Sequence, residues 1–263
     1  MVIPLYDDDP LEGKTTPYVT YGLIATNIIV AVAVFSIPTA TYEALLNVIG
    51  LIPAIETRSM PRPSTLPRDL ALFTSMFLHV DWWHLLNNML FLWIFGDNIE
   101  DAIGRLRFFV FYLLCGLAAA AVFIISAPHA TFPILGASGA IAGVMAAYLL
   151  IRPCAKIEVL VSVVPVAFPA YLVIGLWMGI QILHVETHAH DGVAYWAHIG
   201  GAIAGGLLIL VIRPAHVKLF ECMAPSDNSS ADSEKPLSEA ERAAIPPWPK
   251  QNKPVRSWRD HDH

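Results

Sequence analysis

Residues 108–127 read FFVFYLLCGLAAAAVFIISA, twenty consecutive positions without a formal charge. A helix of about 20 apolar residues is what the roughly 30 Å hydrocarbon core of a bilayer requires. This stretch therefore reads as a membrane span. Four more charge-free windows read the same way: residues 18–37, 134–151, 159–183 and 195–212. A sixth, residues 82–99, is interrupted by His84, Asn87, Asn88 and Asp97, but its other residues are strongly apolar. It reads as a span with a polar inner face. The predicted fold class is an all-α membrane protein, a bundle of six transmembrane helices with a long outer first loop.

The composition agrees. Of 263 residues, 56% are hydrophobic and 14% charged, against about 25% charged in soluble domains. The charges crowd the ends. The first 17 residues hold 5 and residues 214–263 hold 15, leaving 18 for the 196 residues between. A net charge of −6 lacks the basic footprint of a nucleic-acid binder, so no nucleic-acid partner is expected. Cys115, Cys154 and Cys222 are widely spaced and form no C-x-x-C pair. Neither disulfides nor a metal is expected from them.

Lys and Arg in short loops mark the cytoplasmic side. Arg105, Arg107, Arg152, Lys156, Arg213 and Lys218 fall after the second, fourth and sixth spans, whereas loops 128–133 and 184–192 have none. Both termini are therefore expected in the cytoplasm. The first loop, residues 38–81, dissents with Arg58, Arg62 and Arg68. It is assigned to the outer face, with an amphipathic or interfacial helix over 42–55 and an irregular stretch over 59–67. The chain divides into a cytoplasmic segment 1–17, a six-span domain 18–213 and a disordered cytoplasmic tail 214–263. The start is acidic (Asp7, Asp8, Asp9, Glu12), unlike a cleavable signal peptide.

Polar groups within membrane helices are costly and are functional candidates by default. Three clusters qualify. Gly136-Ala137-Ser138-Gly139 opens the fourth span, where free backbone N–H groups and the helix dipole favour developing negative charge. Read alone, Ser138 is as well explained as a helix cap or a packing residue. His198 lies near the outer start of the sixth span, and a structural interhelical hydrogen bond is its plain alternative. Gly139 and Gly143 on one span and Gly201 and Gly205 on the other form small-xxx-small faces that let two helices approach closely. Such an approach would bring Ser138 within reach of His198 as nucleophile and base. His84 and Asn88, one turn apart on the second span, share a face and enter from the same side, as donors to an oxyanion. No acidic residue stands at that depth to orient His198, so a Ser-His dyad is expected rather than a triad. His184, Glu186, His188, His190 and Asp191 could in principle bind a metal, but they read as a solvated outer loop. No metal site is assigned.

Taken together these motifs resemble the rhomboid family of intramembrane serine proteases. Gly136-Ala137-Ser138-Gly139 resembles its G-x-S-G motif, Ala197-His198-Ile199-Gly200-Gly201 its A-H-x-x-G motif, and His84 to Asn88 its H-x-x-x-N motif. They occur in the family's order within residues 18–213, and Ile3 to Pro10 (IPLYDDDP) looks like bacterial members. The resemblance implies Ser138 as nucleophile and His198 as general base. It further implies His84, Asn88 and the Ser138 amide as the oxyanion hole, with Gly136 and Ala137 shaping the approach. It implies no cofactor, substrates that are single-span membrane proteins in the lipid bilayer, and entry past the fifth helix. A bacterial inner membrane is the expected location; no oligomeric state is implied.

Two positions depart from the family's pattern. Leu70 and Ala71 stand where many members have Trp-Arg, although Thr74 and His79 match, and Ala142 stands where some members stack a tyrosine on the catalytic histidine. The competing expectation is a non-catalytic relative that binds membrane helices without cutting them.

Overall fold

Helices occupy most of the apolar windows, but not all of them. The computed structural model describes residues 3–7, 16–61, 67, 69–161, 164–187 and 193–222. In chain order these form β1 (Ile3–Asp7), α1 (Tyr18–Phe35), α2 (Thr39–Ile49), α3 (Pro53–Glu56), α4 (Leu70–Thr74), α5 (Trp82–Ile103), α6 (Arg105–Ser126), α7 (Ser138–Ile151), β2 (Lys156–Val161), β3 (Val164–Pro169), α8 (Ala170–Glu186) and α9 (Tyr195–Ile212). A 3-10 turn at Ser75–Phe77 follows α4. Among the described residues three helices, α1, α6 and α9, are long and apolar enough to cross a membrane. The apolar α7 and α8 are shorter, and α5 carries Asp97, Glu100 and Asp101 in its last two turns.

The fold is mostly helical, which corrects the all-α expectation. β1, β2 and β3 form an antiparallel sheet in that order, with Asp7 opposite Ile157, which in turn pairs Phe168. The expected fifth span began at residue 159, yet β2 and β3 pair there as antiparallel strands, over 156–161 and 164–169. Their sequence is rich in β-branched residues (Ile157, Val159, Val164, Val166) and carries Pro165 and Pro169, which favour extended backbone over helix. Apolarity alone does not separate the two. The fourth helix likewise begins at Ser138 rather than 134, because Ile134 bridges to Leu51 in extended form. In the long first loop the expected helix over 42–55 is broken between α2 and α3, where Gly50 ends one helix and Pro53 starts the next.

α7 is the central helix, with Gly139 to Met145, Ala147, Tyr148 and Ile151 all buried. Around it pack fully buried Phe95, Phe108, Phe111 and Tyr112. The acidic residues of α5 have structural partners. Glu100 is buried and accepts from the backbone N–H of Val19 (3.0 Å) and Thr20 (2.7 Å) and from the Thr20 hydroxyl (2.8 Å). It thereby satisfies amides that the first turn of α1 leaves free. Asp7 accepts from Asn98 (2.8 Å) and from the Tyr148 hydroxyl (2.6 Å), fastening β1 to α5 and α7.

Two further expectations are corrected at the end opposite Ser138. Cys154 and Cys222 are joined by a disulfide, and Cys115 is a free, buried thiol. The pair was not legible because 68 residues separate them and only the folded chain brings them together. The residues leading to Cys222 are also ordered: Phe220 and Glu221 donate their amides to Leu150 and Ile151, and Glu221 pairs with Arg152 at 2.7 Å. The remainder of the expected tail, from residue 223, lies outside the described residues.

Candidate active site

The site is built where the N-terminus of α7 meets α9 and α5. Gly136 enters it with φ +121°, a conformation that residues with a Cβ rarely adopt. Its amide donates to the Ser75 carbonyl at 2.9 Å, which holds the loop against the 3-10 turn. Ala137 is fully buried as the cap residue of α7. Ser138 is then the first helical residue, among backbone N–H groups that have no intrahelical acceptor.

The α7–α9 crossing delivers the histidine. A Cβ on Gly201 would collide with the Gly139 carbonyl oxygen, and one on Gly205 with the Gly143 backbone. The two helices therefore touch backbone to backbone. At the end of this contact Nε2 of His198 lies 2.8 Å from Oγ of Ser138. The other ring nitrogen, Nδ1, lies 2.7 Å from Oε1 of Gln181 on α8. The rings of Trp177 and Tyr195 flank the imidazole, with centroids 5.5 and 6.4 Å away.

On the opposite wall stands α5. Its N-cap Asp81 accepts from the His84 amide at 2.7 Å, and the His79 ring meets the His84 ring edge-on with centroids 5.1 Å apart. A Cβ on Gly136 would lie 2.9 Å from His84 Nε2 and 3.6 Å from Asn88 Nδ2. Asn88 is buried, and its Nδ2 has no hydrogen-bond partner. An amide donor so left is expensive unless something else accepts from it. A cavity of about 520 Å³ joins these groups, lined by Ser138, His198, His84, Asn88, Gly136 and Trp177 among others.

The geometry thus assembles a hydroxyl beside an imidazole, facing a free amide donor, at a helix N-terminus. The residue range that supplies it, 68–215, matches the family model for the Rhomboid domain. The chain belongs to the rhomboid family. Among curated relatives, this rhomboid chain is 33% identical over 144 residues to "Rhomboid protein 1, mitochondrial" of Saccharomyces cerevisiae, covering 52% of this chain and 40% of the relative. It is 31% identical over 198 residues to "Presenilin-associated rhomboid-like protein A, mitochondrial" of Danio rerio (74% and 47%). It is 28% identical over 137 residues to "Rhomboid protease GluP" of Bacillus subtilis (52% and 25%). The chain spans less than half the length of each of these three relatives. Both mitochondrial and bacterial proteins match, so the family does not single out a bacterial type.

Ser138, His198, His84, Asn88, Gly136 and Gly139 all border the one cavity, whereas Gly143 and Gly205 lie deeper along the α7–α9 crossing. In the rival histidine cluster, His184 and Glu186 belong to α8 rather than to a loop, and His188, His190 and Asp191 lie outside the described residues. The residue that sequence reading passed over is Gln181. Its signal was present: a lone amide in the otherwise apolar stretch 170–183, where a polar group calls for a partner.

Proposed function

We propose that this rhomboid chain is an intramembrane serine endopeptidase. Ser138 attacks the peptide carbonyl while His198 Nε2 takes its proton. The tetrahedral oxyanion receives hydrogen bonds from Asn88 Nδ2, His84 and the Ser138 amide. His198 then returns the proton to the leaving amine, and water hydrolyses the acyl-enzyme by the same path. The observation that carries this reading is the 2.8 Å contact between Ser138 and His198 facing an unpartnered Asn88 donor. No cofactor takes part.

The six helices α1, α5, α6, α7, α8 and α9 are the six spans, with residues 38–81 as the outer loop. The 14 residues of α7 reach about 21 Å at 1.5 Å each, short of a full bilayer core. Its N-terminus therefore starts inside the membrane, open to water through the cavity. Arg105, Arg152 and Arg213 support a cytoplasmic assignment for the other end of the bundle, together with residues 1–17 and 214–263, whereas the Cys154–Cys222 disulfide at that end is of a kind rare in a reducing compartment. Substrates are single-span membrane proteins that reach Ser138 from the lipid past α8, whose apolar side chains Leu172, Leu176 and Leu183 are exposed. The N-terminal IPLYDDDP motif supports a bacterial inner membrane.

The test is labelling of the detergent-solubilised full chain with a fluorophosphonate, beside cleavage of a single-span substrate in liposomes. Labelling and cleavage by wild type, with both lost in Ser138→Ala and His198→Ala, is the expected result. Binding of the intact substrate by a folded wild type that neither labels nor cuts would favour the non-catalytic binder instead.

A further inference from the structure

We infer that Gln181 is the positioning residue for His198, holding it in the tautomer whose Nε2 can act as a base; this rests on the protease reading above. The amide of Gln181 is oriented by its other contact: Nε2 donates to the Trp177 carbonyl one turn earlier on α8, at 3.1 Å. That leaves Oε1, which accepts only, facing His198 Nδ1 at 2.7 Å. Nδ1 must then carry the proton, and Nε2 presents its lone pair to the Ser138 hydroxyl at 2.8 Å. In a neutral imidazole the hydrogen bond at one nitrogen fixes the state of the other.

Among the described residues no other group contacts Nδ1 of His198. Ala142 cannot stack on the ring, and the flanking Trp177 and Tyr195 rings restrict its plane without choosing its tautomer. The burial of Gln181 is also pointed. Ala170, Ile174 and Gln181 are the buried residues of α8, so the single polar one among them is spent on His198. Unlike a carboxylate, a neutral amide orients the base without adding a negative charge beside it. The imidazolium formed during attack is stabilised by a dipole alone.

The arrangement also ties the base to the placement of α8. Gly175 and Gly179 face open space, with nothing within 4 Å of where a Cβ would stand. A displacement of α8 would withdraw Oε1 from Nδ1.

The experiment measures kcat, KM and the pH-rate profile of the full chain in liposomes with one single-span substrate. Wild type, Gln181→Leu, Gln181→Glu and Ser138→Ala are compared, with thermal unfolding as a folding check. Loss of the acceptor in Gln181→Leu should lower kcat roughly 10- to 100-fold, up to the lower end of the roughly 100- to 10,000-fold that general-base catalysis contributes, with KM within about twofold. Gln181→Glu restores an acceptor and adds charge, so it should recover most of kcat. Its acid limb should move to higher pH by about one unit, because the carboxylate favours the imidazolium.

Full kcat and an unmoved profile in Gln181→Leu, with Ser138→Ala inactive, would overturn the inference and leave the protease reading standing. Cleavage that survives Ser138→Ala would overturn that reading and the inference with it. Should Gln181→Leu fail to fold, Gln181→Glu decides alone: an acid limb at the wild-type position overturns the inference.

Discussion

The carbonyl oxygen of Gly139 occupies the space that a side chain on Gly201 would need. The hydrogen bond between Ser138 and His198 depends on that close approach, since each residue lies within three positions of one of these glycines. Gly201→Ala should therefore push α9 from α7, cost about 1–3 kcal/mol as overpacking does, and abolish fluorophosphonate labelling. Gly206→Ala on the same helix meets only Leu150 Cδ1 at 3.7 Å, an ordinary contact. It should keep full labelling and a melting temperature at or slightly above wild type. Equal behaviour of the two variants would dissociate the crossing from the site.

Gly136→Ala combines two costs. The added methyl would stand 2.8 Å from His84 Cε1, and the φ of +121° becomes strained by about 1–3 kcal/mol. The displaced group is the proposed oxyanion donor, so labelling should fall at least tenfold in a protein that still folds. Retained labelling would remove His84 from the site.

The disulfide lies at the far end of α7 from Ser138. Closing a loop across a separation of 68 residues stabilises by about 4 kcal/mol at most through chain entropy. Cys154→Ser and Cys222→Ser should each lower the melting temperature, and reductant should bring wild type to the same value. Labelling of Ser138 at low temperature should be unchanged in all three.

His79 precedes α5 and is 1% exposed; burial, and then the neighbouring His84, push its pKa down to about 4 against a smaller pull from Asp81. The unfolded chain takes up this proton near the ordinary value of about 6.5. Between those values the unfolded state binds more protons, so stability is lost as pH falls from about 6.5 towards 4. His79→Phe removes the titration, and its melting temperature should fall less over that interval than that of wild type. Parallel curves would place the titration in another residue.

Charge-free length was enough to find most of the helices, because burying charge in lipid is costly wherever the chain runs. It failed from residue 159 to 169, where strand and helix windows are equally apolar and only β-branching and proline separate them. The acidic N-terminus read only as a cytoplasmic segment, yet Asp7 is buried and accepts from Asn98 and Tyr148, partners 91 and 141 residues away. Ser138, His198, His84 and Asn88 were legible because polar groups amid apolar helices stand out at short range and in recognisable order. Gln181 stands out less, as a single amide with no motif around it.

Local patterns along the chain carry the membrane class, most of the helix-forming windows, the glycine faces and the polar residues that a bilayer would not tolerate without purpose. Which of those groups meet follows only from the folded arrangement. Which nitrogen of His198 faces Ser138, what holds the other, and which cysteines pair depend on distances between elements far apart in the chain. Those distances are set by the packing of α7 against α5, α8 and α9, and no local pattern encodes them.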